Sequence, residues 1–347
     1  MQNFDQNCAP AEAILKNNLT SAPLSELHHI VQTDKIPNAL LFSGAKGTGK
    51  KEAAMEFVKT CNCVSTSSRP CNTCPSCKKI DSGMHPDMIF MGPAENKKII
   101  SIAQIREMGQ RISARPNEAK YRMVCIKDAD MMNVQAQNGL LKVLEEPPDK
   151  TFFVLLATHT APLLPTILSR CRKFNFHPVS TDRIRQILTS QYDLDDKTAH
   201  IISGTSGSNL EKAIEYAGKA QDDTFNWQAF RQWLINGLLD LIKGSRQVRI
   251  NKSIVLSQKL TIQPDRLNDA MAIIRTVLRD LCILKYTPDQ IVNLDFFDTF
   301  NDISGMHVYP TFLEWLTHFC DTEKRLASNS GQRLALDSFF LKLSLSE

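Results

Sequence analysis

Apolar and polar positions follow two different patterns along this chain, and the change falls near residue 178. Before it, five short apolar runs alternate with segments whose apolar residues recur every three or four positions, as on one face of a helix. The runs are "ALLFS" (39–43), "DMIFM" (87–91), "RMVCI" (122–126), "TFFVLLAT" (151–158) and "CRKFNFH" (171–177). Strands that alternate with helices predict a parallel sheet in an α/β domain, and "FFVLLA" suits a strand buried on both faces.

Beyond Pro178 only helical spacing remains. Gly and Ser interrupt short helical segments up to about residue 219, and longer patterns such as "WQAFRQWLINGLLDLIKG" fill the rest. We therefore divide the chain into an α/β domain (1–178), a small helical domain (179–219) and an all-helical domain (220–347).

The composition is that of a folded protein without a membrane span. Of 347 residues, 42% are apolar and 22% are charged, and no run approaches the ~20 apolar residues that cross a bilayer. The first residues lack a basic stretch followed by an apolar core, so we expect no secretory signal, a cytoplasmic protein and no contact with a membrane. A net charge of +4 argues against an obligate, strongly basic nucleic-acid binder.

The segment "GAKGTGKK" (44–51) lies between the first predicted strand and a helix, and it nearly matches the phosphate-loop pattern G-x-x-x-x-G-K-[ST]. In such loops glycines let backbone N–H groups surround phosphate oxygens, and the lysine places a charge at the phosphates. The order of strand, loop and helix makes a chance glycine-rich turn a poor explanation. We expect phosphate contacts from Gly44, Gly47, Thr48, Gly49 and Lys50.

Two lysines stand where this class of site holds its magnesium ion. The loop ends in Lys51 instead of a hydroxyl residue, and Lys127 follows the strand "MVCI" where the metal-binding aspartate is expected. Asp128 and Asp130 are nearby but also suit strand-end or capping roles. We predict that the chain alone does not hydrolyse ATP efficiently, whereas ATP binding without hydrolysis stays open.

Five of the ten cysteines lie within residues 61–77. A C-x-x-C-x-x-C run with a further cysteine upstream predicts four thiolates around a structural zinc ion in a closed tetrahedral site. The predicted ligands are Cys63, Cys71, Cys74 and Cys77, with Cys61 as an alternative to Cys63. Free or redox-active thiols are the other interpretation, and an iron–sulfur cluster is a third.

Taken together, these features resemble the clamp-loader AAA+ proteins of bacterial DNA replication. The similarity covers the α/β domain and the small helical domain, and in the last third only "QRLALDSFFLKL" is similar. The matching stretches are "IPNALLFSGAKGTGK", the cysteines after the loop helix, "HPDMIFM", "NGLLKVLEEPP" and "FFVLLATHTAPLLPTILSRC". The resemblance implies an AAA+ phosphate-loop domain with an inserted zinc knuckle, then a helical lid, then an all-α collar that joins subunits.

Two kinds of subunit share this layout, and the resemblance favours the delta-prime kind over the gamma/tau motor kind. Lys51 and Lys127 depart from the motor pattern, and Leu210 stands near the place of a motor subunit's nucleotide-sensing arginine. In "SRC" the resemblance makes Arg170 an arginine finger that reaches a neighbour's ATP in trans. On sequence alone, an arginine that caps a helix or pairs on the surface is the simpler interpretation. Thr158 occupies the family's first sensor position, although a threonine after a strand is often only a turn former.

The resemblance implies a stationary subunit of the DNA polymerase III clamp loader without enzymatic activity of its own. Its partners would be gamma/tau motor subunits and the delta subunit, and, through the complex, the sliding clamp and primer–template DNA. No acidic cluster for nucleotidyl transfer is visible, so any DNA-directed DNA polymerase activity belongs to the holoenzyme. Two alternatives remain: an active gamma/tau-type ATPase, and a zinc-bearing nucleic-acid-binding module with a decayed phosphate loop.

Overall fold

A computed structural model describes residues 21–65, 69–94, 99–220, 226–327 and 331–345. These residues form two compact units. The first holds the described residues up to Val179 together with Asn209–Glu211, and the second holds Ser180–Ser208 and the described residues from Lys212 onward. Within these ranges, every helix is too short or too polar to span a membrane.

The first unit is a five-stranded parallel sheet with helices on both faces. Its strands are β1 (Ala39–Ser43), β2 (Met88–Met91), β3 (Arg122–Ile126), β4 (Thr151–Ala157) and β5 (Arg172–Asn175), in the spatial order β2-β3-β4-β1-β5. Its helices are α1 (Ser21–Gln32), α2 (Lys50–Asn62), α3 (Pro75–Asp81), α4 (Ile102–Arg111), α5 (Val134–Glu145) and the short α6 (Pro165–Leu168). All five predicted strands are present, which confirms the α/β class. Helices α1 and α3 are additions to the predicted elements.

Strand residues alternate between two apolar cores because successive side chains point to opposite faces of a sheet. On one face, Leu41 and Leu155 pack with Leu140 of α5. On the other face, Phe42 and Val154 pack with residues of α1 and α2. All seven residues of β4 are buried, as the apolar run predicts for a strand covered on both sides.

A buried carboxylate organises the chain between α4 and β3. Asp87, which precedes β2, accepts hydrogen bonds from the backbone N–H groups of Asn117, Glu118 and Ala119 at 2.8–2.9 Å. The guanidinium of Arg122 also donates to it, at 3.2 Å. Burial raises the pKa of the Asp87 carboxyl, but the donated hydrogen bonds outweigh this effect and leave the pKa below its ordinary value.

The second unit contains only helices among its described residues, and α9 begins within the segment that groups with the first unit. The helices are α7 (Thr181–Tyr192), α8 (Asp196–Thr205), α9 (Leu210–Ala220), α10 (Trp227–Lys243), α11 (Arg246–Ile262), α12 (Leu267–Ile283), α13 (Phe297–Met306), α14 (Tyr309–Ala327) and α15 (Gln332–Leu345). One apolar core joins the helices from α10 onward, and it buries Trp315. The predicted boundary between a lid and a collar at residue 219 stays a prediction.

Candidate functional site

The phosphate loop joins the end of β1 to the start of α2, at the edge where the parallel strands have their carboxyl ends. Gly44 approaches the neighbouring backbone so closely that a Cβ atom there would stand 2.2 Å from the carbonyl oxygen of Phe176. Gly49 precedes α2 with a φ of 80°, a left-handed value that favours glycine. The local backbone therefore requires glycine at both positions, as the phosphate-loop pattern predicts.

Two polar side chains hold the loop in shape. The Thr48 hydroxyl donates to the carbonyl of Ala45 at 2.8 Å. The Lys50 ammonium donates to the carbonyls of Gly44 and Ala45 at 2.5 and 2.6 Å. Burial lowers the pKa of the Lys50 ammonium below its ordinary value. Lys50 is thus bound to the loop's own backbone, and a bound phosphate would have to replace these two carbonyls.

A cavity of about 290 Å³ opens beside the loop, and we call it the phosphate cavity. Gly47, Gly49 and Thr158 line it, whereas Gly44 and Thr48 support the loop without lining the cavity. Its charged residues are four lysines and three carboxylates: Lys46, Lys50, Lys51, Lys127, Glu52, Asp128 and Glu211. The structure therefore brings the loop, both substituted metal positions and the predicted sensor position to one cavity.

The phosphate cavity lacks an oxygen ligand at the two positions where this class of site is expected to hold magnesium, although three carboxylates line it elsewhere. Mg²⁺ prefers oxygen ligands, but Lys51 and Lys127 line the cavity from the two positions expected to supply them. The carboxylate of Asp130 accepts hydrogen bonds from the backbone N–H groups of Thr158 and the following residue, at 3.3 and 3.2 Å. Asp130 is therefore engaged in fixing the end of β4, one of the two roles expected for it from the sequence.

A second cavity of about 260 Å³ shares Lys51, Glu52 and Lys127 with the phosphate cavity. Met55 and Phe90 provide apolar surface in it. The Lys127 ammonium lies 5.1 Å from the centre of the Phe90 ring, which is a cation–π contact. Lys51 and Lys127 thus line two cavities at once.

Four cysteine sulfurs meet beyond the end of α2. The Sγ atoms of Cys63, Cys71, Cys74 and Cys77 all lie within 4.8 Å of one another. Cys63 directly follows α2, and Cys74 caps α3. Four thiols in one closed group fit a tetrahedral structural zinc site, which keeps no position open for a substrate.

Hydrogen bonds around these sulfurs suit metal-binding thiolates. The N–H group of Cys71 donates to Cys63 Sγ at 3.3 Å, that of Cys74 to Cys71 Sγ at 3.4 Å, and that of Cys77 to Cys74 Sγ at 3.5 Å. Hydrogen bonds from Thr73 lower the pKa of the Cys71 thiol to about 6. A lowered pKa favours the thiolate at Cys71, which is the form that binds a metal, whereas burial raises the pKa of the Cys77 thiol to about 12.

Cys61, the alternative ligand, is not brought into this group. Its side chain lies in the apolar core between α2 and the sheet, where burial raises the pKa of the thiol to about 12. Helix residues two positions apart point in different directions, so Cys61 cannot share the direction of Cys63. The structure therefore removes Cys61 from the candidate ligands.

The sequence analysis missed a buried lysine that joins α2 to the cysteine loop. Lys59 is completely buried, and its ammonium donates to the side-chain oxygen of Asn72 at 2.6 Å. It also pairs with Asp81 of α3 at 2.9 Å and lies 3.7 Å from Glu56. The only sequence signal is a lysine that follows Val58 within an otherwise apolar stripe of α2.

Arg170 lies just after α6 and is partly exposed. Its guanidinium donates to the carbonyl of Thr166 at 3.0 Å and pairs with Glu145 of α5 at 2.6 Å. These contacts are a helix-end cap and a surface ion pair, which is the simpler interpretation from sequence. The Arg170 side chain remains 37% exposed.

A second residue of α5 fixes the segment that carries Arg170. Gln137 is buried, and its side chain accepts the N–H of Leu164 at 2.7 Å and donates to the carbonyl of Pro162 at 3.1 Å. Leu164 directly precedes α6. Gln137 therefore sets where α6 begins and, through it, where Arg170 projects.

Comparisons with known proteins find similarity to subunits of DNA polymerase III. Residues 20–180 match the protein family described as "DNA polymerase III, delta subunit". The delta′ subunit of DNA polymerase III from Bacillus subtilis is 34% identical over 199 residues, which are 57% of this chain and 59% of that protein. The tau subunit from the same organism is 31% identical over 200 residues, 56% of this chain and 35% of tau. A solved gamma-subunit-related protein from Thermotoga maritima has 17% identity and a TM-score of 0.48, over 93% of this chain and 98% of that chain.

The chain thus spans a little over half of the delta′ relative and about a third of tau. The family match, over residues 20–180, includes the phosphate-loop region for which the geometry has been described. Residues 20–180 of this chain are therefore similar to the DNA polymerase III delta-subunit family, and the chain is similar in sequence to delta′ and tau subunits of DNA polymerase III.

Proposed function

We propose that this chain is a delta′-type clamp-loader subunit that does not hydrolyse ATP and supplies Arg170 to the ATP site of a neighbouring gamma/tau-type subunit. One observation carries the proposal: a phosphate loop that keeps its glycines and Lys50 faces a cavity that Lys51 and Lys127 line from the two positions expected to hold the metal. A loop without its metal site is expected in a subunit that keeps the fold of a motor while another subunit performs the hydrolysis.

Ammonium groups at these positions act against hydrolysis in two ways. They remove two oxygen ligands, and they repel the divalent cation that hydrolysis requires. Two unit charges about 4 Å apart interact by about 1 kcal/mol in water and about 4 kcal/mol near a protein surface, and the double charge of Mg²⁺ doubles these values. Lys51 is exposed and Lys127 is half-buried, so the repulsion falls between the two limits.

Arg170 can leave its contacts at a small cost. An exposed ion pair such as the one with Glu145 contributes about 0–1 kcal/mol, and the carbonyl of Thr166 is a neutral acceptor. A transferring phosphoryl group offers several charged oxygens in the planar arrangement that a guanidinium matches. We therefore expect Arg170 to exchange Glu145 for the phosphate of a neighbouring subunit during clamp loading.

The remaining parts of the proposal concern partners and zinc. We propose gamma/tau motor subunits and the delta subunit as direct partners, with the sliding clamp and primer–template DNA engaged through the complex. The Cys63, Cys71, Cys74 and Cys77 group would hold one structural zinc ion, which would fold a loop that has little apolar core of its own.

The test replaces Arg170 within the reconstituted clamp loader. We expect Arg170→Ala to leave assembly intact, as judged by co-elution, and to abolish turnover at the one site that Arg170 completes, with loss of clamp loading. An arginine finger contributes about 10³–10⁵ in rate, and Arg170→Lys should not restore it because an ammonium lacks the planar fork. Arg115→Ala is the matched control, since this exposed arginine also pairs with a carboxylate of the same unit. Full loading activity with Arg170→Ala would contradict the proposal.

An active ATPase of the gamma/tau type is the second candidate, and the similarity to tau and the intact Lys50 favour it. A turnover assay on the isolated chain decides between the two. Multiple turnovers per minute that Lys50→Ala abolishes would establish the motor, whereas no turnover is expected for the delta′ type.

A further inference from the structure

We propose that the phosphate cavity binds the polyphosphate chain of a nucleotide without magnesium, with Lys51 and Lys127 supplying the charge that the metal would bring. The inference rests on the proposed function, because it concerns the site that we expect not to hydrolyse ATP. The phosphate loop keeps its glycines and Lys50, but lysines stand at both positions expected to supply oxygen ligands to Mg²⁺.

Two ammonium groups can supply as much positive charge as one magnesium ion. A magnesium ion contributes two positive charges to a bound triphosphate, and two ammonium groups contribute the same. The phosphate cavity also contains Lys46 and Lys50, so its four lysines exceed its three carboxylates by one charge. The excess of one positive charge favours an anion in this cavity without a metal, whereas Mg²⁺ at its two expected ligand positions would lie beside Lys51 and Lys127.

The ammonium groups of Lys51 and Lys127 are available to bind an anion. Among the described residues, neither Lys51 nor Lys127 forms an ion pair with a carboxylate, although Glu52 and Asp128 line the same cavity. The contact of Lys127 with the Phe90 ring engages the ammonium through its charge and leaves its N–H donors for an anion. Both ammonium groups can therefore donate to phosphate oxygens.

The size of the phosphate cavity indicates the class of ligand that it suits. A cavity of about 290 Å³ is at the small end of ligand sites, which suits a polyphosphate chain better than a whole nucleotide enclosed on all sides. The shared chemistry is a chain of linked phosphates, found in nucleoside triphosphates and in inorganic tripolyphosphate. Such a ligand would act as a fixed part of the subunit, since two ammonium groups supply the metal's charge without the bridging coordination of phosphate oxygens that cleavage uses.

The experiment measures binding of ATP and of tripolyphosphate to the full chain by calorimetry, with and without Mg²⁺. Magnesium is removed from the buffer with a chelating resin, because a soluble chelator would also compete for metal at the cysteine group. We expect at least one probe to bind as tightly without Mg²⁺ as with it, or more tightly. If tripolyphosphate binds and ATP does not, the ligand is a polyphosphate without a nucleoside, and the inference still stands.

The variants assign the effect to the two lysines. Removing one charge-assisted contact costs about tenfold in affinity, so Lys51→Ala and Lys127→Ala should each weaken metal-free binding about tenfold. The double variant Lys51→Thr/Lys127→Asp should reverse the preference, so that binding requires Mg²⁺. Lys78→Ala is the matched control, because this exposed lysine lies in the same unit and does not line the cavity.

The inference is overturned if neither probe binds without Mg²⁺, or if binding survives both single substitutions unchanged. That failure would leave the proposed function untouched, because the Arg170 experiment measures turnover at another subunit's site. Conversely, a fully active Arg170→Ala complex would refute the proposed function while metal-free binding to the isolated chain could still be observed.

Discussion

Lys59 gives the sharpest prediction about stability, because it is a fully buried cation between α2 and the cysteine loop. Lys59→Met keeps most of the volume and removes the charge. Breaking a buried ion pair by removing one partner costs about 3–5 kcal/mol. Here the partners Asp81 and Glu56 keep 35% and 19% of their side-chain surface exposed, so water screens part of the loss. With the lost hydrogen bond to Asn72 included, we expect about 3 kcal/mol.

The assay is urea unfolding followed by zinc release, detected with a metal-sensitive dye, since the proposed zinc site lies in the first unit. A loss of about 3 kcal/mol with a slope of about 1–3 kcal/mol/M lowers the urea midpoint by about 1–3 M. Lys79→Met is the matched control: it breaks the exposed pair with Glu118, for which we expect less than about 1 kcal/mol. Adding Asp81→Asn to Lys59→Met should recover part of the loss, because both charges are then gone.

Equal midpoint shifts for Lys59→Met and Lys79→Met would refute this reasoning. Such a result would mean that burial of the Lys59 ammonium does not strengthen its contacts. A loss of unfolding free energy below about 1 kcal/mol for Lys59→Met would also refute the reasoning, because exposed ion pairs contribute that little.

Three further predictions follow from individual groups. The pKa of Asp87 is lower in the folded chain than in the unfolded chain. The Asp87 carboxylate therefore contributes its full stability above the unfolded pKa, and this stability is lost as the pH falls through the folded pKa. Asp87→Asn should remove that loss and flatten the acid side of a plot of unfolding free energy against pH. Cys63→Ser should lose the bound zinc and Cys61→Ser should keep it, by metal analysis of the purified chain; equal zinc content in the two variants would disprove the ligand assignment. Glu145→Gln should release Arg170 and raise ATPase activity of the assembled loader by up to about fivefold, the equivalent of about 1 kcal/mol, and a decrease would show that Glu145 helps to place the arginine.

Most of the sheet could be predicted because its strands are short apolar runs, unlike helices, whose apolar residues recur every three or four positions. The runs that became β1 and β4 are buried along their whole length, so their composition carries the signal. Helix α1 was not among the predicted elements, although Leu24, Leu27 and Ile30 recur at helical spacing. Helix α3 was missed because its residues lie among the cysteines, whose spacing alone was interpreted.

The candidate site was predictable where chemistry depends on neighbours in sequence. The glycines and Lys50 form one continuous loop, and the cysteine spacing identified the four sulfurs that meet. The partners of Asp130, Lys59 and Arg170 could not be predicted, because each contact joins elements whose distance in space depends on the packed sheet. A carboxylate after a strand suits a metal or a backbone N–H equally well until the backbone around it is known.

A structure of the assembled clamp loader with nucleotide bound tests the central claim most directly. The account predicts that the Arg170 guanidinium has left Glu145 and lies about 3 Å from a phosphate oxygen of the nucleotide held by the adjoining subunit. It also predicts no metal between Lys51 and Lys127 in this chain's own phosphate cavity. An Arg170 that still pairs with Glu145, more than about 10 Å from any neighbouring nucleotide and beyond the reach of a screened charge, would contradict the account.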